Sequence, residues 1–399
     1  MASDHCPHED YNPLVKEDFD TAHQEYARLR RSCPVAHSDA YGGFWALTKY
    51  EDVQRVFSDP AMFITSVQNV VPKVAFSGRR PPLHFDPPEH TPYRAALNPL
   101  LSEEKIRELA PMIRDCIRAE LLPLLARGRG DVCGEFASIF QVKVFSMWMK
   151  LPPELEAQLA QAGPAFVKAV QAAEPDKMKE TSLVLYDMAR QLVALRQAEP
   201  MDAAHDPVSA FLAARTGGEP LPPDMVVGAI RQVLVVGIVA PMVMIGNMAI
   251  HLARDKALQR SLRDAPDRIP AAVEEFLRLY TPYRGFARTA RADVEIGGRT
   301  IRKDEAIALI MASANRDEDV FPNPERFVLD RPNIREHLAF GRGPHYCAGA
   351  ALARLELQIA LEELLRNTSD FDLDGEIRMS PFPELGPWYA PVRFGGSHA

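Results

Sequence analysis

The sequence predicts a mainly α-helical fold with small β-sheets. Apolar residues recur at helical spacing from about residue 102 to residue 125, and similar segments continue through residue 280. Residues 44–48 alternate as in a strand, and Gly297-Gly298 lies between two alternating runs, which is typical of a hairpin. Long helices therefore dominate, and the strands are short.

The elements follow one another in a simple order. The segment GGFWALTKYEDVQRVF, residues 42–57, indicates a short strand followed by a helix. The helix that begins near Ser102 has Glu103 and Glu104 in its first turn, where the helix dipole favours acidic side chains. After the hairpin, EAIALIMASAN predicts another strand, and AALARLELQIALEELL predicts a helix near the C-terminus.

Composition is that of a globular domain. Hydrophobic residues make up 47% of the 399 residues and charged residues 25%, which is enough apolar material for a sizeable core. The 34 prolines are scattered, and no repeat marks a boundary. We therefore expect a single domain over residues 1–399, with a flexible tail at 1–12. The net charge of −8 argues against a nucleic-acid partner, because phosphate binding needs a positive surface.

Several features predict a cytoplasmic protein with no membrane anchor. The five cysteines are widely spaced and form no CxxC pair, which indicates neither a disulfide framework nor a zinc ribbon. The N-terminal MASDHCPHEDYNP lacks the apolar core of a secretory signal. The longest apolar run, between Gln232 and Asn247, contains Pro241 and is shorter than the roughly 20 residues that a membrane span needs.

The most informative segment is Phe340-Gly-Arg-Gly-Pro-His-Tyr-Cys347-Ala-Gly349, which directly precedes a helical pattern. A cysteine at a helix N-terminus is more easily held as a thiolate, because the dipole and the backbone N–H groups there favour negative charge. Gly341, Gly343 and Gly349 allow the loop to turn and to pass close to a flat group. The alternative is that Cys347 is an inert, buried cysteine. This interpretation suits an isolated cysteine, but it does not account for the whole ten-residue segment.

This segment resembles the haem-binding loop of the cytochrome P450 family. The resemblance implies the family's single-domain fold, a haem b cofactor, Cys347 as the axial thiolate ligand of the iron, and Phe340 packed over the proximal haem face. Gly341 and Gly349 belong to the same loop. A thiolate ligand pushes electron density onto the iron, which favours O–O bond cleavage.

Four basic residues match family positions that contact the haem propionates. The segment FDPPEHTPYR places His90 and Arg94 four residues apart, on one face of a helix. Arg288 in GFARTA and His345 in the cysteine loop match two further positions. Each of them alone is better explained as a surface charge. Together, at the spacing of the family, the resemblance implies that they bind the propionates.

Glu275 and Arg278 match the ExxR helix motif of the family, which pairs with the arginine of a later Pro-Glu-Arg-Phe segment, here Arg326. ExxR alone is weak evidence, because other charged helices of this chain also contain it. The order along the chain selects this copy. If buried, the three residues form an architectural cluster rather than a catalytic one.

The sequence departs from the family in its central helix. Most relatives carry there an acid followed by threonine, a pair that delivers protons to bound dioxygen, whereas LVVGIVAPMVMIGN places Val239 and Ala240 at these positions. Pro241 removes one helical N–H and predicts a kink. Three functions stay open: a monooxygenase in which substrate or ordered water replaces the hydroxyl, a peroxygenase driven by hydrogen peroxide, and a haem protein that binds a ligand without turnover.

The resemblance also places the substrate pocket. Its candidate residues are largely apolar and aromatic, which suits a small aromatic or alicyclic substrate. They are Phe63, Val70, Phe76, Phe166, Val236, Val239, Ala240, Tyr283, Phe286 and Trp388. Core packing is an equal alternative for any one of them. Arg284, in the same segment as Tyr283, is a candidate for binding a substrate carboxylate, with a surface or propionate role as the alternative.

The function implied by the resemblance is insertion of one oxygen atom from O2 into a C–H bond, by hydroxylation or O-dealkylation. Two electrons would come from a separate ferredoxin- or flavodoxin-type donor with its NAD(P)H reductase.

Overall fold

The computed structural model describes residues 10–73, 78–172 and 174–395. Residues 1–9 of the predicted tail and the candidate pocket residue Phe76 lie outside the described residues. Within the described part, the helices are α1 (Gln24–Ser32), α2 (Tyr50–Ser58), α3 (Thr91–Leu97), α4 (Glu103–Glu108), α5 (Ala110–Ala126), α6 (Ser138–Trp148), α7 (Pro153–Gln171), α8 (Pro175–Ala198), α9 (Pro207–Ala213), α10 (Pro223–Val236), α11 (Val239–Arg254), α12 (Lys256–Asp264), α13 (Ile269–Leu279), α14 (Met311–Ala314) and α15 (Ala350–Arg366).

The strands are shorter, as the sequence predicts. In the described residues they are β1 (Val35–Ser38), β2 (Phe44–Leu47), β3 (Phe63–Ile64), β4 (Arg129–Asp131), β5 (Arg215–Thr216), β6 (Glu219–Pro220), β7 (Phe286–Ala290), β8 (Val294–Ile296), β9 (Arg299–Ile301), β10 (Ala306–Leu309), β11 (Phe371–Leu373), β12 (Arg378–Met379), β13 (Pro387–Tyr389) and β14 (Pro391–Phe394). The hairpin predicted at Gly297-Gly298 joins β8 and β9, which pair antiparallel.

The chain divides into two compact units. Unit 1 comprises Met1–Val74, Glu274–Cys347 and Met379–Gly386. Unit 2 comprises Ala75–Val273, Ala348–Arg378 and Pro387–Ala399. The expectation of a single domain over the whole chain stays a prediction.

Unit 1 is built on a five-stranded sheet in the order β1-β2-β10-β7-β3. β2 and β10 run parallel, and the other pairs are antiparallel. Side chains alternate between the two faces, because successive strand residues point to opposite sides. Ile307 and Leu309 of β10 join one apolar cluster, together with Phe57 of α2, whereas Ala308 and Phe44 join the other. The sheet therefore has an apolar layer on each face.

Unit 2 is mainly helical. α8 packs against α7 and α10, and α15 packs against α5 and α11. A small antiparallel sheet has the order β11-β14-β4. Among the described residues, Pro223–Arg254 is the one helical stretch long and apolar enough to cross a membrane, but 83% of its apolar window is buried inside the protein. Burial of this kind is typical of a core helix, in agreement with the sequence.

The kink predicted from Pro241 is present as a break between α10 and α11. α10 ends at Val236 and α11 begins at Val239, so the break lies at Gly237 and Ile238. A proline clashes with the carbonyl of the residue four positions earlier, which for Pro241 is Gly237. Pro241 itself lies in the first turn of α11, where the missing N–H has no partner in a helix. The break therefore follows directly from the position of the proline.

We expect Gly237→Ala to destabilise the protein by about 1–3 kcal/mol, because the added carbon is forced into a filled site. A Cβ at Gly237 would lie 2.0 Å from the ring of Phe145. Gly163→Ala is the matched control, since a Cβ there is closest to the end of the Ile238 side chain, at 2.9 Å, which can move. Urea unfolding measures both variants. Equal stabilities would show that the packing of Phe145 against Gly237 does not restrict this position.

Candidate active site

The cysteine loop closes on itself in unit 1. The Cys347 N–H donates to the Phe340 carbonyl at 2.9 Å, and Gly343–His345 forms a short 3-10 turn within the loop. Gly341 has φ 68° and Gly343 has φ 71°, a region that favours glycine. A Cβ at Gly343 would also lie 2.4 Å from the carbonyl oxygen of Phe57. Gly343 is therefore required both by its conformation and by the close approach of α2.

Cys347 differs from the other thiols. Its side chain is exposed, whereas the free cysteines Cys116 and Cys133 are buried. Burial raises the pKa of both of those thiols, most strongly at Cys133. Cys33 is disulfide-bonded, although the spacing of the cysteines indicated no disulfide framework. Of the thiols in the described residues, Cys347 is the one accessible to an external group.

Two predicted propionate-binding residues belong to unit 1: His345 lies in the cysteine loop, and Arg288 lies on β7. His345 Nε2 is 3.3 Å from Thr65 Oγ1. Arg288 on β7 is buried, its guanidinium lies 5.2 Å from the centre of the Phe57 ring, and it donates to the Ala287 carbonyl at 2.8 Å. Gly341 faces the ring of Phe57 and Gly343 faces its backbone carbonyl, so Phe57 of α2 connects β7 with the cysteine loop.

The other two predicted propionate-binding residues lie in unit 2, at the start of α3. His90 precedes the helix and is buried, and Arg94 is half-buried within it. The Arg94 N–H donates to the His90 carbonyl at 3.3 Å, so the two residues are one helical turn apart. The helix predicted for this segment is therefore confirmed, and both side chains extend from one side of it.

Val239, Ala240 and Pro241 occupy the first turn of α11, directly after the helix break. Val239 and Pro241 are buried, and Ala240 is half-buried. None of these side chains has a hydroxyl or carboxyl group. However, Pro241 has no N–H to offer the Gly237 carbonyl, so this part of the helix has an acceptor that a continuous helix would use internally.

The ExxR cluster is buried, but its third arginine differs from the prediction. Glu275 receives hydrogen bonds from Arg278 at 2.7 and 2.8 Å and from Arg331 at 3.1 Å. The backbone N–H of Val328 donates to the same carboxylate at 2.9 Å. The expected Arg326 has an exposed side chain and contributes only its carbonyl oxygen, which accepts from both arginines. The pairing predicted with Arg326 is therefore wrong, and Arg331 takes this position.

Several candidate pocket residues of unit 1 come together. Val70 forms a β-bridge with Phe286, and the rings of Tyr283 and Phe286 are 4.8 Å apart. The pKa of the Tyr283 phenol is raised, mainly by burial and to a smaller extent by the charges of Glu384 and Cys347. The phenol therefore stays protonated. Phe63, by contrast, lies within the sheet core with 1% of its surface exposed.

Arg284 is engaged inside unit 1. Its guanidinium pairs with Glu17, donates to Tyr26 Oη at 3.2 Å, and donates to the Glu384 carbonyl at 3.0 Å. The guanidinium carbon also lies 5.5 Å from the centre of the Phe382 ring. With a carboxylate partner already present, we assign Arg284 to the architecture of unit 1 rather than to a substrate carboxylate.

Glu384 is buried, and its Oε2 has no hydrogen-bond partner in the part of the chain that the structure describes. Burial raises the pKa of this carboxyl to about 7, although a backbone hydrogen bond and Arg284 oppose the shift. The folded protein therefore holds a proton that the unfolded chain releases near its ordinary pKa of 4.5. It follows that Glu384 makes the protein less stable as the pH rises from about 4.5 to about 7.

We expect Glu384→Gln to gain stability relative to the parent protein as the pH rises from 5 to 8, by up to about 3 kcal/mol. The glutamine stays neutral throughout this range, whereas the glutamate must ionise. Urea unfolding at several pH values measures the difference, and Glu25→Gln, at an exposed ion pair with Arg28, is the control. A difference that is constant with pH would contradict the raised pKa.

The remaining candidates lie in unit 2. Val236 at the end of α10 is 54% exposed, and Trp388 is 37% exposed, with the Arg378 guanidinium 5.6 Å from its ring. Phe166 of α7 is buried under the guanidinium of Arg231, at 4.5 Å. Arg231 is not among the site residues predicted from the sequence. A single arginine within the apolar stretch of α10 is the signal that would have identified it.

Comparison with known proteins connects these observations. Residues 252–379 match the family model described as Cytochrome P450. The chain is 32% identical to Cytochrome P450 109 of Bacillus spizizenii, over 85% of this chain and 82% of the relative. It is 32% identical to the mycinamicin IV hydroxylase/epoxidase of Micromonospora griseorubida, over 92% and 94% of the two chains. The chain belongs to the cytochrome P450 family.

Solved structures agree. Cytochrome P450 CYP109Q5 from Chondromyces apiculatus is similar with a TM-score of 0.85 and 28% identity, over 96% of this chain and 98% of that one. The predicted family and its mainly α fold with small sheets are therefore confirmed. This cytochrome P450 is a monooxygenase, an oxidoreductase with a haem-iron cofactor, and the family acts on small molecules with redox partners.

The described residues fit a haem better than a metal centre made from protein alone. They contain no group of three His, Cys, Asp or Glu residues that could hold a metal ion. Cys347 offers one exposed thiol on a loop held by Gly341 and Gly343, which fits the single thiolate that a protein supplies to a haem iron. Arg288 in unit 1 and, separately, His90 in unit 2 are basic side chains of the kind that carboxylate substituents require.

Proposed function

We propose that this cytochrome P450 binds haem b through the Cys347 thiolate and hydroxylates or O-dealkylates a small, largely apolar substrate, such as an aromatic or alicyclic compound. The single observation that carries this proposal is the exposed thiol on a loop closed by the bond from Cys347 to Phe340. Bound haem would activate O2 with two electrons. These would come from a separate ferredoxin- or flavodoxin-type donor with its NAD(P)H reductase, in the cytoplasm.

The surrounding residues have defined roles in the proposal. Phe340 would pack on the proximal face of the haem, with Gly341 and Gly349 allowing the loop to approach. The propionates would be bound by four basic residues, His90, Arg94, Arg288 and His345. The pocket would be formed by apolar and aromatic side chains, namely Val70, Phe166, Val236, Val239, Ala240, Tyr283, Phe286 and Trp388.

Proton delivery would differ from the usual route, since Val239 and Ala240 lack the acid and the hydroxyl. We propose that the Gly237 carbonyl, which receives no bond from Pro241, holds an ordered water or a substrate hydroxyl near this position. Proton transfer can pass through one such water. The same two substitutions favour the alternative of a peroxide-driven peroxygenase, which needs no relay, and they also allow a haem protein that binds without turnover.

One experiment separates these functions. The holoenzyme is given a panel of aromatic and alicyclic compounds, once with reductase, ferredoxin and NADH, and once with hydrogen peroxide alone. We expect more product per haem with the reductase system. Product with peroxide alone would establish the peroxygenase instead. The absence of product in both, with a normal thiolate spectrum of the reduced carbon monoxide complex, would support the non-catalytic haem protein.

A further inference from the structure

Helix α10 carries a positive charge in the interior of unit 2. The Arg231 side chain is 0% exposed, and its guanidinium lies 4.5 Å from the Phe166 ring centre and 5.8 Å from that of Tyr186. Its Nη2 donates to Ser182 Oγ at 2.9 Å, whereas its Nε and Nη1 have no hydrogen-bond partner among the described residues. Two strong donors are thus buried and unused, which is costly in a folded protein.

A second arginine lies close enough to act on the first. Arg80 Nη2 is 3.1 Å from His84 Nε2, and Arg80 Nε is buried without a partner. Burial and the charge of Arg80 lower the pKa of Arg231 to about 9, so Arg231 remains positive at neutral pH. Burial, Arg80 and Arg231 also lower the pKa of His84 to about 3, which keeps the imidazole neutral. The group therefore carries two positive charges.

Several other buried arginines of the described residues have a carboxylate partner. Arg196 pairs with Asp206 at 3.2 Å, and both side chains are almost fully buried. Arg278 pairs with Glu275 in the same way. Within the described residues no carboxylate pairs with Arg80 or Arg231, and Ser182 and His84 supply only neutral acceptors. Unit 2 thus contains a pair of cations, the fully buried Arg231 and the half-buried Arg80, whose counter-charge is not among the described residues.

The chain is specifically shaped to hold this pair. A Cβ at Gly228 of α10 would lie 2.1 Å from the carbonyl oxygen of Arg79, and a Cβ at Gly78 would lie 2.5 Å from Tyr186 Oη. Only glycine at these two positions allows the segment before Arg80 to rest directly on α8 and α10. The Tyr186 hydroxyl also donates to the Arg79 carbonyl at 3.4 Å. The backbone directly before Arg80 is therefore held against α8 and α10 by close packing.

We propose that Arg80 and Arg231 bind the carboxylate of the substrate, so that this cytochrome P450 acts on aromatic or alicyclic carboxylic acids. A carboxylate accepts paired hydrogen bonds from guanidinium groups and supplies the missing negative charge. This inference deepens the proposed function and rests on it. It also changes the predicted position of the carboxylate contact from Arg284 to α10.

The distance along α10 from Arg231 to the helix break sets the substrate length that we propose. With a helical rise of 1.5 Å per residue, Arg231 lies about 9 Å along the helix from Gly237, where the helix breaks. Phe166 stacks on the guanidinium, and the candidate pocket residues Val236 and Val239 lie at the break. An acid with one ring and a substituent opposite the carboxylate matches this span, which places the para substituent near the break.

The test compares 4-alkylbenzoates with their carboxamides, which have the same shape and no charge. Binding to the holoenzyme is measured by haem spectral titration and by calorimetry. We expect the acid to bind about 10- to 100-fold more tightly than the amide, and Arg231→Gln to abolish this preference. Arg231→Lys is expected to restore part of it. Arg190→Gln, at an exposed arginine on α8, is the control and is expected to leave the preference unchanged.

Thermal unfolding of Arg231→Met distinguishes a binding role from a structural one. Without ligand, this variant is expected to be at least as stable as the parent, because an unpaired buried charge is removed. It is also expected to lose the rise in Tm that the acid causes in the parent protein. A variant that unfolds at a clearly lower temperature would show a structural role and overturn the proposal.

The remaining outcomes are also decisive. Acid and amide bound equally, or acetate and phosphate bound as tightly as the benzoates, would overturn the proposal. Oxidation of neutral compounds while acids neither bind nor react would overturn it and leave the monooxygenase function intact. Binding of acids that depends on Arg231, with no oxidised product under any condition, would support the site and count against the monooxygenase function.

Discussion

Replacement of Cys347 by Ser is expected to abolish the thiolate spectrum of the reduced carbon monoxide complex and to eliminate oxygenation. A serine hydroxyl is a much weaker ligand than a thiolate and does not supply the electron density that favours O–O cleavage. The loop itself should persist, because its closing bond runs from the backbone N–H of residue 347 to the Phe340 carbonyl. The variant therefore tests the ligand rather than the fold.

Cys116→Ser is the matched control. This thiol is free and buried among Met112 and Met147 rather than exposed. We expect the control to keep the full thiolate spectrum per mole of haem. If Cys347→Ser retained that spectrum, another residue would have to be the ligand, and the proposed site would be wrong.

The second large effect is expected at the ExxR cluster. Glu275→Gln leaves Arg278 and Arg331 fully buried with no carboxylate, and breaking a buried pair in this way costs about 3–5 kcal/mol. We expect loss of haem or failure to fold at ordinary temperatures. Urea unfolding and the haem content after purification measure the effect. Glu25→Gln, at an exposed pair with Arg28, is expected to change stability by less than about 1 kcal/mol.

Two arginine variants test the revised geometry of the cluster. Arg331→Gln is expected to destabilise strongly, because its guanidinium binds Glu275 directly. Arg326→Gln is expected to have little effect, because this residue contributes its backbone carbonyl. The reverse order would restore the pairing inferred from the sequence pattern and contradict the structure.

The ExxR cluster also makes the stability of the folded protein depend on pH. Burial alone would raise the pKa of Glu275, but hydrogen bonds from Arg278 and Arg331 outweigh it and hold the pKa below its ordinary value. The carboxylate therefore stabilises the protein at pH values above the unfolded-state pKa, and this contribution is lost as the pH falls through the lower, folded-state pKa. Glu384 acts in the opposite direction, since its raised pKa lowers stability as the pH rises.

Features that depend on neighbouring residues could be predicted from the sequence. The turn between His90 and Arg94, the break before Pro241 and the hairpin at Gly297-Gly298 each result from the conformational limits of a few adjacent residues. The cysteine loop belongs to the same class, because its glycines and its helix-proximal cysteine lie within one short segment. Family membership followed from these local patterns.

Pairings between distant segments were decided only by the tertiary structure. The sequence pattern selected Arg326 for Glu275, but the turn that follows directs Arg331 to the carboxylate and leaves Arg326 exposed. Arg284 was a candidate for a substrate, but the fold brings Glu17 to it. In both cases several arginines satisfied the pattern equally, and only the path of the chain determines which guanidinium reaches which carboxylate.

Cys347 and Arg231 show the same division. The sequence by itself determined the cysteine loop, because Cys347 and its glycines lie within one short segment, and it determined that Val239 and Ala240 have no proton donor in their side chains. Only the tertiary structure brought Arg80 and Arg231 together and showed that neither has a counter-charge in the described residues. The physical reason is that an unpaired charge indicates a binding site only when it is buried away from water, because burial makes it costly. Burial depends on the packing of segments that are far apart in the chain.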